Sequence, residues 1–140
     1  MIETKTLLFR TKAGTDIIDI SKEVSEAVRK SKIKSGLVSV FVSGSTASVS
    51  TLEFEPNLIK DMKKALEKIA PEKGEYEHHK TWGDDNGSAH VRAALMKPGI
   101  TIPFKDKKLL LGTWQQIVLM DFDTRERERE IVLQVMGDRE

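Results

Sequence analysis

Cysteine is absent from this 140-residue sequence, and its absence removes several classes of function. A chain without thiols forms no disulfide, has no cysteine nucleophile and offers no thiolate to a metal. Long apolar runs are also missing. No segment approaches the length of a membrane span, and residues 1–10 lack the pattern of a secretory signal. We therefore expect a cytoplasmic protein with no membrane partner.

An excess of charge of one sign is lacking as well. The chain carries 23 Lys and Arg residues against 22 Asp and Glu residues, a net charge of +1. Because nucleic-acid-binding domains usually carry a strong basic excess, we expect no nucleic-acid partner. Local charge can differ from this sum, so a small phosphorylated ligand remains compatible. The length and a hydrophobic fraction of 39% predict one globular domain, residues 1–140.

Hydrophobic periodicity predicts a chain in which strands dominate both halves. The predicted strands are residues 6–10, 15–20, 37–42, 46–53, 100–104, 109–111, 113–122 and 130–136. Helices are predicted at 21–32, 58–69 and 87–96, with a long loop at 72–85. Helices and strands do not alternate regularly enough for a doubly wound parallel sheet. We therefore predict an α+β fold, a mostly antiparallel, sandwich-like sheet with two or three helices.

All three histidines lie close together in the sequence, at positions 78, 79 and 90. Histidine transfers protons near neutral pH, and its neutral ring is a common metal ligand. The segment that holds His78 and His79 is a long loop, and long loops in small domains often carry function. A solvated loop with a chance pair of histidines is the alternative. We favour a functional site.

Asn86-Gly87-Ser88 stands at the start of a predicted helix. The free N–H groups and the dipole of a helix start favour an anion such as phosphate, and His90 would lie one turn further on. Ordinary capping of the helix by Asn86 or Ser88 explains the same residues equally well.

Three further segments offer polar groups. Residues 43–48 are rich in hydroxyls but lack the lysine of a nucleotide P-loop. Thr113 and Gln115 are candidates to orient a ligand, and Asp121 to hold a histidine or a metal. In an extended strand, the run 125–130 would place its three arginines on one face, where they suit a phosphate or simply face solvent.

The ordered set of short motifs resembles the YjbQ family, whose members are often described as secondary thiamine-phosphate synthases. The motifs are Gly44-Ser45-Thr46-Ala47, Tyr76-Glu77-His78, Asn86-Gly87 with Ala89-His90, Ile102-Pro103, Leu111-Gly112-Thr113-Trp114-Gln115, and Arg127 with Arg129. The resemblance extends over nearly the whole chain. It implies an α+β fold, a homotrimer with sites near subunit contacts, and a weak synthase activity on phosphorylated heterocycles.

The resemblance also implies roles for particular residues. His78, His90 and Asp121 are the expected catalytic residues, with His78 and His90 also expected to hold a divalent metal ion, Mg or Zn. The expected substrate-binding residues are Ser45, Thr46, Asn86, Gly87, Thr113, Gln115 and Arg127. His79 lies outside the pattern. Many relatives carry a histidine where this chain has Ser88, which leaves fewer metal ligands here.

Three hypotheses follow for the function. The first is a synthase that couples a pyrimidine-methyl pyrophosphate to a thiazole phosphate with release of pyrophosphate. The second is a metal-dependent hydrolase that uses His78 and His90. The third is a protein that binds a phosphorylated metabolite without turning it over.

Overall fold

Eight strands and four helices make up residues 1–139, which the computed structural model describes. The strands are β1 (Ile2–Thr11), β2 (Asp16–Asp19), β3 (Ile33–Val42), β4 (Ala47–Leu52), β5 (Gly99–Lys105), β6 (Lys108–Leu109), β7 (Gln116–Asp121) and β8 (Arg127–Arg139). The helices are α1 (Ser21–Lys30), α2 (Pro56–Ile69), α3 (His78–Trp82) and α4 (Gly87–Met96).

The strands form two antiparallel sheets, which confirms the predicted α+β fold. One sheet has the order β1-β8-β3-β5-β6 and the other the order β2-β7-β4. The number of helices is larger than expected, because the short helix α3 forms within the stretch predicted as a loop. No helix within residues 1–139 is long and apolar enough to cross a membrane.

Strand β7 explains how the layers are packed. Its side chains alternate, so Ile117 and Leu119 join a core with α1 and the five-stranded sheet. Val118 and Met120 point the other way, into a second core with α2 and α4. The three-stranded sheet therefore lies between the five-stranded sheet and two helices. A strand buried on both faces reads as a continuous apolar run, as this one does.

Strands that follow each other across a short turn often pair as a hairpin. Neither β1 and β2 nor β3 and β4 do so. Strand β1 pairs with β8, whereas β2 pairs with β7. Likewise β3 pairs with β5 and β8, whereas β4 pairs with β7. Each turn therefore carries the chain from one sheet to the other, and so does the segment between β7 and β8.

These three crossings meet at one end of the sheets. Asp121, the last residue of β7, is in register with both Asp16 and Ala47, the first residues of β2 and β4. Thr11, the last residue of β1, is in register with Arg127, the first residue of β8. Polar side chains at this junction are consequently surrounded by residues of both sheets.

Of the element boundaries that differ from the predicted ones, two have clear local reasons. Thr113 precedes β7 because residues 112–115 form a turn in which the N–H of Gln115 donates to the carbonyl of Gly112. Strand β8 starts three residues early and includes charged positions, since Glu128 and Glu130 face solvent while Arg129 points inward.

Candidate functional site

The imidazole rings of His78 and His90 lie side by side. Their centroids are 4.6 Å apart, and the ring planes are tilted by 40°. His78 opens the short helix α3, and His90 lies one turn into α4. The His78 side chain is 27% exposed, so it is neither sealed in the core nor free in solvent. The chain thus places two imidazole rings in contact at its surface.

Glycine residues make this helix pair possible. Helix α3 ends at Gly83, whose φ of 70° lies in the left-handed region that glycine adopts without strain. Gly87 begins α4, and a β-carbon on it would lie 2.7 Å from Cβ of Tyr76 and 3.4 Å from Cβ of His78. Only a residue without a side chain allows α4 to pack this closely against the segment that holds His78.

Two buried polar atoms at the site, one on Asn86 and one on the His78 ring, have no hydrogen-bond partner. Asn86 is 9% exposed and precedes α4, but its side chain does not cap the helix, and its buried Oδ1 has no hydrogen-bond partner. Nδ1 of His78 lies 3.3 Å from Oδ1 of Asp84 without hydrogen-bonding geometry. Buried polar atoms are normally paired, so these two are candidates to contact a ligand.

His90 also lines a cavity of about 370 Å³. The other lining residues are Gly44, Ser45, Ala47, Ala93, Ala94 and Pro98. The cavity is therefore bounded by the turn between β3 and β4 on one side and by α4 on the other. Two residues predicted to act at a site, His90 and Ser45, share this cavity.

His79 is close to the pair but faces other groups. Its ring lies 5.7 Å from that of Tyr76, and Nε2 is 3.9 Å from Oδ1 of Asp85. That nitrogen is buried without a hydrogen bond. The Tyr76 hydroxyl donates to the carbonyl of Pro71 at 2.6 Å. Burial raises the pKa of Tyr76, an effect that Arg92 opposes and Glu67 adds to, so this phenol is a donor at neutral pH.

A buried ion-pair network lies beneath the turn that borders the cavity. Arg129 donates from Nε to Oδ2 of Asp121 at 2.6 Å and from Nη2 to Oδ1 at 2.9 Å. Nη2 also donates to the hydroxyl of Thr46 at 2.6 Å, and that hydroxyl donates to Oδ2 of Asp123 at 3.0 Å. The Thr11 hydroxyl donates to Asp121 from the other side, at 2.5 Å.

Asp123 is ionised within this network. Burial by itself raises the pKa of its carboxyl group. Hydrogen bonds from the N–H of Thr124, the hydroxyl of Thr46 and the guanidinium of Arg127 outweigh that effect, so the pKa is lowered overall. The two buried carboxylates are thus matched by two arginines.

The structure corrects the expected role of Asp121. This side chain is fully buried and bonds to Thr11 and Arg129 rather than to a histidine. The expectation of three aligned arginines is also wrong, since Arg125 precedes β8 and only Arg127 and Arg129 share a face. Both bind aspartates of their own chain because their shared face points toward the junction of the sheets.

The predicted substrate-binding residues separate into different places in one chain. Asn86 and Gly87 are beside the histidine pair. The Thr46 side chain points beneath the turn, where its hydroxyl accepts from Arg129 and donates to Asp123. Arg127 borders another cavity of about 220 Å³ with Arg10 and Thr11. Gln115 borders a third, of about 180 Å³, where its side chain bonds to Gly112 and Thr51. Thr113 lies in the same turn as Gln115.

A resident metal does not fit the described residues well. A catalytic zinc site normally has three protein ligands and one open position. His78 and His90 provide two rings, but residues 1–139 contain no group of three or more histidines and carboxylates placed to hold a metal ion. Ser88, where a third imidazole would be helpful, carries only a buried hydroxyl. We therefore assign no chemical step to a bound metal.

Arg129, Asp123 and Gly44 were not among the predicted site residues. The sequence does contain a signal for the burial of Arg129. Position 129 has the same parity as Ile131 and Leu133, which face the core. A charge on that face needs buried partners. The close approach of Gly44 to Arg129 has no counterpart in the sequence pattern.

Comparison with known proteins agrees with the fold. Two antiparallel sheets with four helices define a small α+β protein. Residues 5–138 match the family described as UPF0047 protein YjbQ-like, and the chain belongs to this family. The suspected resemblance to YjbQ proteins is thereby confirmed.

Individual relatives support the same assignment over nearly full length. A UPF0047 protein of Archaeoglobus fulgidus is 33% identical over 90% of this chain and 96% of its own length. One from Methanothermobacter thermautotrophicus is 33% identical over 97% of this chain and 93% of its own. The crystal structure of a hypothetical protein from Aeropyrum pernix K1 has a TM-score of 0.90 at 29% identity, covering 97% of this chain and 99% of that one.

Proposed function

We propose that this chain binds a small phosphorylated metabolite at the His78–His90 pair and acts as a secondary thiamine-phosphate synthase. One observation carries the proposal: two imidazoles in contact at the start of α4, beside a cavity. The first turn of α4 favours an anion through its free N–H groups and dipole. The unpaired Oδ1 of Asn86 would accept a hydrogen bond from an N–H or O–H group of the ligand.

The chemistry of the coupling fits these groups. The thiazole nitrogen attacks the methylene carbon of the pyrimidine, forming a C–N bond. The C–O bond to pyrophosphate breaks, and its electron pair leaves with the oxygen. An imidazolium from the pair donates a proton to that oxygen, and the helix start stabilises the remaining negative charge. The protein then supplies positioning, a proton and electrostatic stabilisation.

Binding without turnover is the second candidate. The hydrogen bonds of an acid–base pair are incomplete, since Asp121 is engaged with Arg129 and Asp84, 3.3 Å from Nδ1 of His78, makes no hydrogen bond to it. A pocket that only senses a phosphorylated metabolite needs no such partner. Affinity for thiamine phosphates without product formation would select this candidate. The hydrolase hypothesis is less favoured because only two ligands are in place.

Assembly and location belong to the same proposal. We propose a homotrimer, in which a second copy brings polar residues to the cavity that one chain leaves incomplete. Trp114 is 73% exposed beside Gln115, an exposure that subunit contact would reduce. Sedimentation velocity tests the trimer, and a purely monomeric protein would contradict it. The proposed cytoplasmic location rests on the sequence alone.

The decisive experiment compares three histidine variants. Coupling of the two thiamine precursors is measured with wild type, His78→Ala, His90→Ala and His79→Ala. We expect the first two variants to lose about a hundredfold or more in kcat, as removal of a general acid does. His79→Ala is the matched control, since it removes a neighbouring imidazole and should retain most activity. Equal rates in all four proteins would refute the histidine role.

A further inference from the structure

We propose that Arg129 is the positioning residue of the candidate pocket. From beneath, its guanidinium group fixes the turn of residues 43–47, which together with His90 borders the cavity. This inference rests on the proposed function, because that cavity is where the phosphorylated ligand would bind. Arg129 thus sets the geometry of the site although its own side chain is buried.

The turn is anchored at its two ends and from below. The N–H of Ser43 donates to the carbonyl of Glu130 at 3.1 Å, and the carbonyl of Thr46 accepts from the N–H of Phe122 at 3.0 Å. Between these anchors Gly44 and Ser45 are exposed. The Thr46 side chain ties this end of the turn to the interior as well, through Nη2 of Arg129.

Gly44 shows how closely the guanidinium approaches. A β-carbon on Gly44 would lie 2.7 Å from Nη1 of Arg129. Real β-carbons are essentially never this close to another heavy atom, so any side chain at position 44 would displace the turn or the guanidinium. The guanidinium itself is held by Asp121 in a bidentate pair, so the turn is the part more free to move.

This arrangement follows from the crossing of the chain between sheets. Residues 43–47 connect β3 in one sheet to β4 in the other, and β8 carries Arg129 underneath them. Residues 43–46, between the two strands, have no ladder partners of their own to fix their conformation. A rigid, planar cation bound to β7 supplies that constraint.

The test compares two threonines of the same network. Thr46→Val removes the contact of the turn with Arg129 and Asp123. Thr11→Val removes the hydroxyl that donates to Asp121, at a residue equally buried but distant in sequence from the turn. The binding of inorganic pyrophosphate is measured by calorimetry, and the melting temperature is recorded for each variant.

We expect Thr46→Val to weaken pyrophosphate binding about tenfold, the effect of one well-placed hydrogen bond to a charged group. Thr11→Val should leave the affinity for pyrophosphate within about twofold of wild type. Its melting temperature should fall by about as much as that of Thr46→Val. Equal affinities in the two variants would overturn the inference, because the network would then serve stability alone.

A readout without ligand separates this inference from the proposed function. If wild type fails to bind pyrophosphate, the proposed function falls, and NMR decides the role of Arg129. We expect the amide signals of Gly44 and Ser45 and the ring signals of His90 to shift in Thr46→Val but not in Thr11→Val. Unchanged signals in Thr46→Val would overturn the inference.

A double-mutant cycle examines the contact with Gly44 directly. Gly44→Ala should displace those same NMR signals in the wild-type background. Lys has no atom equivalent to Nη1, so in Arg129→Lys the same substitution should have a clearly smaller effect. Equal effects in both backgrounds would show that Gly44 and Arg129 are not coupled and would count against the proposal. Should Arg129→Lys fail to fold, the threonine pair still decides.

Discussion

Gly87 and Tyr76 are packed backbone against side chain, so that a β-carbon on Gly87 would lie 2.7 Å from Cβ of Tyr76. This contact fixes the start of α4 against the segment that leads into His78. The geometry of the histidine pair therefore depends on a residue that has no side chain.

Gly87→Ala is predicted to separate the two helices. In an ordinary helix this change is favourable by up to about 1 kcal/mol, but the forced overlap with Tyr76 should cost about 1–3 kcal/mol. Urea unfolding and the His78 ring signals in NMR measure the result. Gly112→Ala is the control, because a β-carbon there meets nothing nearer than 3.6 Å. A more stable Gly87→Ala protein with unchanged ring signals would contradict the prediction.

Removal of the buried cation is predicted to be severely destabilising. Arg129→Met leaves Asp121 buried without its partner, and breaking such a pair costs about 3–5 kcal/mol. Arg127→Met should cost less, about 1–2 kcal/mol, because Arg127 is 35% exposed and donates one hydrogen bond to Asp123, whereas Arg129 is buried and donates two to Asp121. Chemical denaturation compares the two. Similar losses of unfolding free energy in the two variants would contradict the prediction and show that both arginines stabilise the network equally.

Acid is predicted to weaken the fold through Asp123. The pKa of Asp123 in the folded protein lies below its ordinary value, so the ionised carboxylate stabilises the fold. This stabilisation is complete above the unfolded pKa of roughly 3.9 and is lost as the pH falls through the folded pKa. The free energy of unfolding should therefore fall below about pH 4, and less steeply in Asp123→Asn. Asp138→Asn, at an exposed position of β8, serves as the control. An identical pH dependence in wild type and Asp123→Asn would contradict this account.

Zinc is predicted to bind weakly. Two imidazoles fall short of the three protein ligands of a typical catalytic site, so we expect purified protein to carry less than one zinc per chain. Elemental analysis of wild type and His90→Ala measures this. Stoichiometric zinc that is lost in His90→Ala would favour the metal-dependent hydrolase instead.

Most of the elements were predictable because each has a local cause. Helix α2 has an apolar stripe with Pro56 at its start, and α4 spans the predicted residues 87–96. Strand β7 is apolar throughout because both of its faces are buried. Helix α3 was missed, since five residues that include two histidines and a tryptophan give no clear period.

The sequence by itself determined the α+β class, the histidine cluster and the family, since these depend on local periodicity and on motifs in a fixed order. Only the tertiary structure decided which polar residues meet. It brought His78 to His90 and gave Asp121 to Arg129 instead of a histidine, while Gln115 and Arg127 went to other cavities. The reason is that contacts between distant segments set these neighbours: Gly87 packs against Tyr76 beside the histidine pair, and the three crossings bring Asp121 to the end of the sheets where β8 starts. Pairing between distant strands leaves no mark in the local pattern.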